Sequence, residues 1–483
     1  MGIKLKSFII EKVYKADNVF LNKIGVFILS INQQKKLGNK RVRRNRKINV
    51  TVDISDSVPP LAWICRVKNG LYHFIAGSKV ETSQRMLVEG VWDGDFSKSR
   101  LEKSQHVFGS GAVFKRGRVI FIPPKHCMEL LYVLYDKRAG ASYVSNSLCY
   151  ILESARIDLD GDFFRVMSSL LQETDNAATR RGIDRYDQII VDDTDYALYR
   201  MIFYNFSVDS LGNIQLYRLF PKSYFRGYRQ YRRFLSRKIS EIFANASSTG
   251  RRETFSPVTT ITRGYDSPAA SVLARENGCN EALTLDVAVY GVYDSGLEIG
   301  RKLGFEVHSY KHLISDNIGD LNIVFQGEKK DVVLEFVATG GVGDDVTYYP
   351  FQDRLSNRMF VTGSYGDSAW AKESSLEPGL PKGIIYLGSI SEYRLRTGFF
   401  HVPIPVLGAR FPPPIKKITN SAEMREYSVG GDYDRPIPRR IVEEAGIPRN
   451  EFGISKCATA PFVINHKELF REAVEQVMTR YRY

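Results

Sequence analysis

From residue 257 the chain alternates between short β-branched runs and amphipathic stretches, and this alternation restricts the folds open to it. "PVTTI" (257–261) reads as a strand and "SPAASVLAREN" (267–277) as a helix closed by Gly278. "EALTLDVAV" (281–289) is then a strand, "SGLEIGRKL" (295–303) a helix and "FEVHSY" (305–310) a strand. A β-α-β-α-β order implies a parallel sheet covered by helices, because parallel neighbours need long crossovers. The apolar runs "DVVLEFVA" (331–338), "RMFVTG" (358–363) and "GIIYLGS" (383–389) are expected to be further strands. The end, from about 391, reads as helical and loop-rich.

Residues 1–220 have a different texture, with short apolar runs separated by turns and a hairpin expected around Arg116–Gly117. From 229, "RQYRRFLSRKISEIFANASS" spaces Phe234, Leu235, Ile239, Ile242 and Phe243 as one face of a helix. With 483 residues the chain exceeds one ordinary core. Two domains are expected: 1–220, mostly β, and 221–483, α/β.

Five dispersed cysteines, Cys65, Cys127, Cys149, Cys279 and Cys457, have no C-x-x-C spacing and argue against a disulfide framework or structural zinc. His308 and His312 are the one pair four apart, and a zinc site needs more ligands. No apolar run approaches the length of a bilayer span, and the N-terminus does not read as a signal peptide, so a cytoplasmic location and no membrane partner are expected. The net charge of +14 admits anionic partners. Part of it is local, at "KKLGNKRVRRNRK" (35–47) and "KSYFRGYRQYRRFLSRK" (222–238). The second, with tyrosines between arginines, suits RNA stacking. It also suits a helix whose aromatic stripe faces a core while its arginines reach solvent, the reading preferred here.

The turn Thr262-Arg263-Gly264-Tyr265-Asp266-Ser267 follows the first strand of the alternation. Ligands of open parallel sheets bind outside the carboxyl ends of the strands. A helix N-terminus there offers free N–H groups and partial positive charge to a phosphate. Ser267 is expected as N-cap with Pro268 at the first helical position. Gly264 lets the backbone approach a ligand. Asp266 in such a loop calls for an offsetting cation, which points to Mg²⁺ bridging to pyrophosphate. Ser295 and Glu298 have the spacing of a capping box, which would leave Glu298 no catalytic role.

This turn resembles the S-G-G-x-D-S loop of the PP-loop ATP pyrophosphatases, with three of five defining positions kept and Arg263 as the departure. "MFVTGSYGDSAW" (359–370) resembles the S-G-E-G-x-D-E segment of asparagine synthetases, with Asp367 as second Mg²⁺ ligand and Ser364 where the family has glutamate. "LYVLYDKRAGASYVSNSLCYILESA" (131–155) resembles part of the glutaminase domain. Residue 2 is glycine rather than cysteine, so that domain would lack its nucleophile. "DYDRPIPRRIVEEAGIPRNEFGISKCA" resembles the end of the synthetase domain.

The resemblance implies an adenine nucleotide alpha hydrolase-like α/β domain preceded by a degenerate Ntn-hydrolase-like β domain. It implies an asparagine synthase-like ligase that binds ATP and Mg²⁺, adenylates a carboxylate or similar oxygen, and passes it to an amine or ammonia. Asp266, Asp367 and Lys456 would be catalytic, with Asp266 and Asp367 on the metal. Ile261, Thr262, Gly264, Ser267, Leu285, Asp286, Thr362 and Gly363 would hold the nucleotide, with Tyr265 over it and Asp294 facing the adenosine. Arg439, Arg440 and Arg449 are further candidates for phosphate contact. The partners would be a small carboxylate acceptor, the amine or ammonia donor and an ammonia-supplying protein, with homo-oligomers compatible. The alternatives are a tRNA-binding or tRNA-modifying PP-loop protein and a catalytically inactive scaffold.

Overall fold

The computed structural model describes residues 48–482 except 127, 173–188, 218–224, 288–291, 312–329, 341–343, 373–388, 410–411, 432 and 454–465. The basic stretch 35–47, Cys127, His312, Lys456, Cys457 and the strand expected at 383–389, except its last residue, lie outside them.

The N-terminal region is mostly β, as its turn-punctuated sequence predicts. One sheet has seven strands in the spatial order 49–54, 71–76, 63–68, 141–145, 131–136, 196–201, 189–192. The other has six, in the order 214–217, 205–208, 118–122, 107–115, 86–92, 81–82. The alternation of side chains along each strand turns Trp63, Cys65 and Phe74 of one sheet toward Leu87, Ala112 and Phe121 of the other, in one apolar core. Trp63 and Phe121 stack at 6.3 Å. The expected hairpin is present: Lys115 pairs with Arg118, and Gly117 supplies the φ of 81° that the turn requires.

Helix α1 (Tyr228–Ala246) follows. Its Tyr231, Phe234, Leu235, Ile239, Ile242 and Phe243 are buried. Arg232 reaches Glu276 at 2.5 Å and Arg237 lies beside Glu241, so from 228 onward the helical reading of the tyrosine–arginine stretch holds.

Four strands of the third sheet are ones the sequence predicts, and the fifth, Phe400–Pro403, lies where helices and loops are expected. The strands are β1 (Ser256–Thr260), β2 (Glu281–Leu285), β3 (Glu306–Tyr310), β4 (Arg358–Thr362) and β5 (Phe400–Pro403). All four neighbouring pairs are parallel, in the order β3-β2-β1-β4-β5. Helix α2 (Asp266–Glu276) connects β1 to β2, and α3 (Leu297–Lys302) lies between β2 and β3. Small residues in α2, Ala269, Ala270, Ser271 and Ala274, are fully buried and let the helix lie close to the sheet.

One expected strand is a helix. "DVVLEFVA" forms α4 (Lys330–Val337), packed against α5 (Ser391–Thr397) and α7 (His466–Met478); α6 (Pro436–Glu444) lies between these two in sequence. Val333, Leu334, Phe336 and Val337 are all buried, and so is Glu335, which bonds Arg396 at 2.5 Å. Burial at five successive positions, 333–337, leaves this run without a period that would tell it from a buried strand. Among the described residues no helix is long and apolar enough to cross a membrane.

Arg394 of α5 ties the parallel-sheet region to the β region. It is buried, with Nη1 2.8 Å from Glu89 and Nε against Glu129. Glu89 also accepts from Ser110 Oγ at 2.6 Å and Asn146 Nδ2 at 3.0 Å. Burial pushes the Glu129 carboxyl up to about 7, against the pull of Arg394. Arg394→Ala would strand two buried carboxyls, and we expect a loss of about 3–5 kcal/mol in a urea unfolding experiment at neutral pH.

Candidate functional site

In this strand order β1 and β4 are neighbours whose following connections leave in opposite directions. Their carboxyl ends form the topological switch point of the sheet, the place where open parallel sheets receive ligands. The two acidic turns singled out in the sequence are the loops at those two ends.

The first loop is held by backbone and hydroxyl bonds. Thr262 Oγ1 accepts the Gly264 N–H at 3.1 Å, a local turn bond, and Thr262 pairs in an isolated bridge with Ser295. The Arg263 N–H donates to Asp294 Oδ1 at 3.1 Å, and the Arg263 carbonyl accepts from the Gly453 N–H at 2.7 Å. The Arg263 side chain is taken up elsewhere: Nε donates to the Glu451 carbonyl at 3.4 Å and the guanidinium lies 5.6 Å over the Tyr293 ring. Asp294 is buried, and burial pushes its carboxyl up to about 6 against the Arg263 contacts. Its bonds to Arg263 give it a positioning role in this loop.

Ser267 is not the N-cap. The helix starts at Asp266, after Tyr265, which makes no side-chain cap bond. This places Ser267 inside the first turn, where its Oγ donates back to the Thr260 carbonyl at 2.7 Å, beside Ser271 Oγ at the same distance. The Ser295–Glu298 capping box is not closed either. Ser295 Oγ accepts the Leu297 N–H at 3.4 Å, but Glu298 turns to Arg301 at 3.0 Å.

Two arginines near the start of α6 clamp the loop. Arg435, just before the helix, forms an ion pair with Asp266 Oδ2. Arg439, one turn on, bonds Tyr265 Oη and lies 4.9 Å over that ring. Tyr265 is buried between Tyr433 and Phe452 at centroid distances of 4.7 and 6.1 Å, so it is a packing anchor and not an exposed cover for a base. Arg440 and Arg449 are engaged with Glu444 at 2.8 Å and Glu443 at 2.6 Å, as surface ion pairs. Arg435 went unnoticed in the sequence because its partner is 169 positions away. Its one local sign is a basic residue preceding a proline-led helix.

The second loop lies directly on the first. A Cβ at Gly363 would overlap the Asp266 carbonyl carbon and the Ser267 nitrogen, and one at Gly366 would overlap the Asp266 carboxyl group. Neither glycine adopts left-handed φ, so close approach of the loops, not turn geometry, requires them. Thr362 is buried in a hydroxyl network. Its Oγ1 is 3.0 Å from Ser364 Oγ and 2.8 Å from His401 Nε2, and Ser364 Oγ is 2.9 Å from Tyr348 Oη. Burial, aided by Arg394, drives His401 down to about 3, so the ring is neutral. Asp367 follows Gly366 and is exposed. Of the residues expected near adenine, Ile261 and Leu285 are buried, and Asp286 bonds Ser309 Oγ while its N–H donates to the Tyr310 carbonyl at 2.9 Å.

For Mg²⁺ the donors fit in part. Among the described residues no group of three His, Cys, Asp or Glu side chains is placed to hold a metal. Mg²⁺, however, uses one or two carboxylates and completes its shell with water and substrate phosphates. Asp266 Oδ1 is buried without a hydrogen-bond partner, and Asp367 is on the adjoining loop. Arg435 is the competing cation. No model of a known protein family matches the chain, and no curated protein matches it either.

Two measurements test this geometry. Gly363→Ala should cost about 1–3 kcal/mol by urea unfolding, the scale of forced overpacking. Asp294→Asn keeps the oxygen that accepts from Arg263 but removes the charge. The folded state raises the Asp294 pKa, so it binds the proton more tightly than the unfolded chain, and the stability this gives is lost as pH rises from about 4 to about 6. The variant should therefore gain thermal stability relative to the native chain at pH 7.5 and gain less at pH 4.5.

Proposed function

We propose that the protein is an ATP-using, Mg²⁺-dependent enzyme that adenylates a carboxylate or similar oxygen, releases pyrophosphate and passes the activated group to an amine or ammonia. The observation that carries the reading is the packing of the Thr262–Ser267 loop against Gly363 and Gly366 at the switch point of a parallel sheet. The reaction class rests on the resemblance of these two loops to the PP-loop and asparagine synthetase segments.

In this reading the start of α2 and the Thr262–Gly264 turn bind phosphate oxygens through backbone N–H groups, with the dipole of an eleven-residue helix behind them. Asp266 and Asp367 would hold Mg²⁺, which when bound would supply charge neutralisation for the triphosphate. Arg435 leaves Asp266 for the pyrophosphate and stabilises charge building on the leaving group. Asp294 keeps the Arg263 peptide fixed while this happens, and the buried Thr362–Ser364–His401 network keeps the second loop in register. Ser364 provides no carboxylate, so the proton lost by the attacking amine goes to solvent or to a group of the substrate.

One observation favours a second reading, an inactive scaffold: Asp266 is already neutralised by Arg435. Calorimetric titration with ATP, with Mg²⁺ and with EDTA, separates the two. The enzyme reading predicts Mg²⁺-dependent binding and pyrophosphate release on a panel of carboxylic acids. Asp266→Asn and Asp367→Asn should each lower that release by about 100-fold or more, the scale for losing one group that stabilises transition-state charge. Absence of ATP binding, or full turnover in either variant, rejects the assignment.

A further inference from the structure

We infer a second anion site, independent of the switch point, in a cleft of about 430 Å³ between α1 and the two short turns at 96–98 and 101–103. Its volume is in the range of small-molecule sites. Five cationic side chains, Lys98, Arg100, Lys103, Arg237 and Lys238, line it with only two carboxylates, Asp93 and Asp95.

Both carboxylates are already satisfied. Asp93 lies 2.9 Å from His106 Nδ1 and 2.7 Å from Lys238 Nζ. Against the burial that would raise it, these bonds hold its carboxyl well below the usual range. Asp95 Oδ1 accepts from Ser97 N at 2.9 Å and Ser97 Oγ at 2.6 Å, and Lys98 is 3.3 Å from the other oxygen. Arg100 and Lys103 are exposed and, among the described residues, have no ion-pair partner. Arg237 lies 3.8 Å from Glu241, whose other oxygen is 2.7 Å from Lys238 Nζ. Phe96 and Leu101 are buried beneath the turns and fix the backbone that carries Arg100 and Lys103. The cleft therefore presents an excess of positive charge on a frame that folding has already ordered.

The ligand is a small anion of the polyphosphate class, for which an arginine fork and nearby ammonium groups are matched partners. A single-stranded nucleic acid would need exposed rings on which bases stack. Here Trp92 and Phe96 are buried, as are the aromatic side chains on the core face of α1. The cations also converge on one concavity and do not form a track.

The test is calorimetric titration of the full chain with inorganic pyrophosphate in EDTA at low salt, with inorganic phosphate and a twelve-nucleotide single-stranded RNA as the other probes. Pyrophosphate should bind, and phosphate should bind more weakly. Arg100→Ala with Lys103→Ala should weaken pyrophosphate by at least about tenfold, the loss of one charge-assisted contact or more. Arg100 and Lys103 touch neither the 262–267 nor the 363–367 loop, so the double variant should keep the ATP titration of the native chain, which separates the cleft from the switch point whatever the fate of the ATP reading. Both cleft positions are exposed, so an unchanged thermal melt confirms that folding is intact. Pyrophosphate binding that survives the double substitution, or that is displaced by RNA at lower concentration than by pyrophosphate itself, overturns the proposal.

Discussion

Where Gly363 and Gly366 meet Asp266 there is no room for a Cβ. Two loops about a hundred residues apart in sequence are thereby pressed together at the carboxyl ends of neighbouring parallel strands. Strand order makes the contact available, because only at a switch point do adjacent strands send their connections in opposite directions. The glycines bring the loops closer than any side-chain-bearing residue would allow. The other features of the site follow: the start of α2, the exposed Asp367 and the hydroxyl network under the second loop are all placed by that contact.

The electrostatics of the contact are unusual for a structural turn. Asp266 has one oxygen against Arg435 and the other buried with no hydrogen-bond partner. Burial lowers the Arg435 guanidinium to about 10, which records the cost of keeping it from water. A pair that is desolvated and half-satisfied can exchange partners at modest cost, since a phosphate offers the arginine more acceptors than one carboxylate oxygen does. Arg439 and the buried Tyr265 hold the adjoining backbone, so such an exchange need not unfold the loop.

The alternation of strands and helices between 257 and 310 was legible from its punctuation, since the 262–267 turn and Gly278 cut the chain into pieces of strand and helix length although β1, β2 and α2 are largely buried. The same logic failed at 331–338, where α4 packs against α5 and α7 and its residues 333–337 are buried at five successive positions. Ser267 was misread for a local reason: the helix begins two residues earlier than Pro268 implies, and its hydroxyl turns back to the strand. At the site, Asp266 and Gly264 could be read from turn composition and Asp367 and Gly363 from the resemblance of the second loop, whereas Gly366 was not singled out. Arg435, Asp294 as a peptide anchor and the burial of Tyr265 could not, because each depends on contacts between distant segments. Gly363 was expected to line the nucleotide, whereas the neighbour at its Cβ position is the backbone of the other loop.

The most direct test of the central claim is a crystal structure grown with a non-hydrolysable ATP analogue and Mg²⁺. The account predicts a triphosphate between the 262–267 and 363–367 loops, with Arg435 on a phosphate oxygen and Asp266 released from it. A nucleotide bound elsewhere, or an intact Asp266–Arg435 pair at saturating analogue with nothing between the loops, would contradict it.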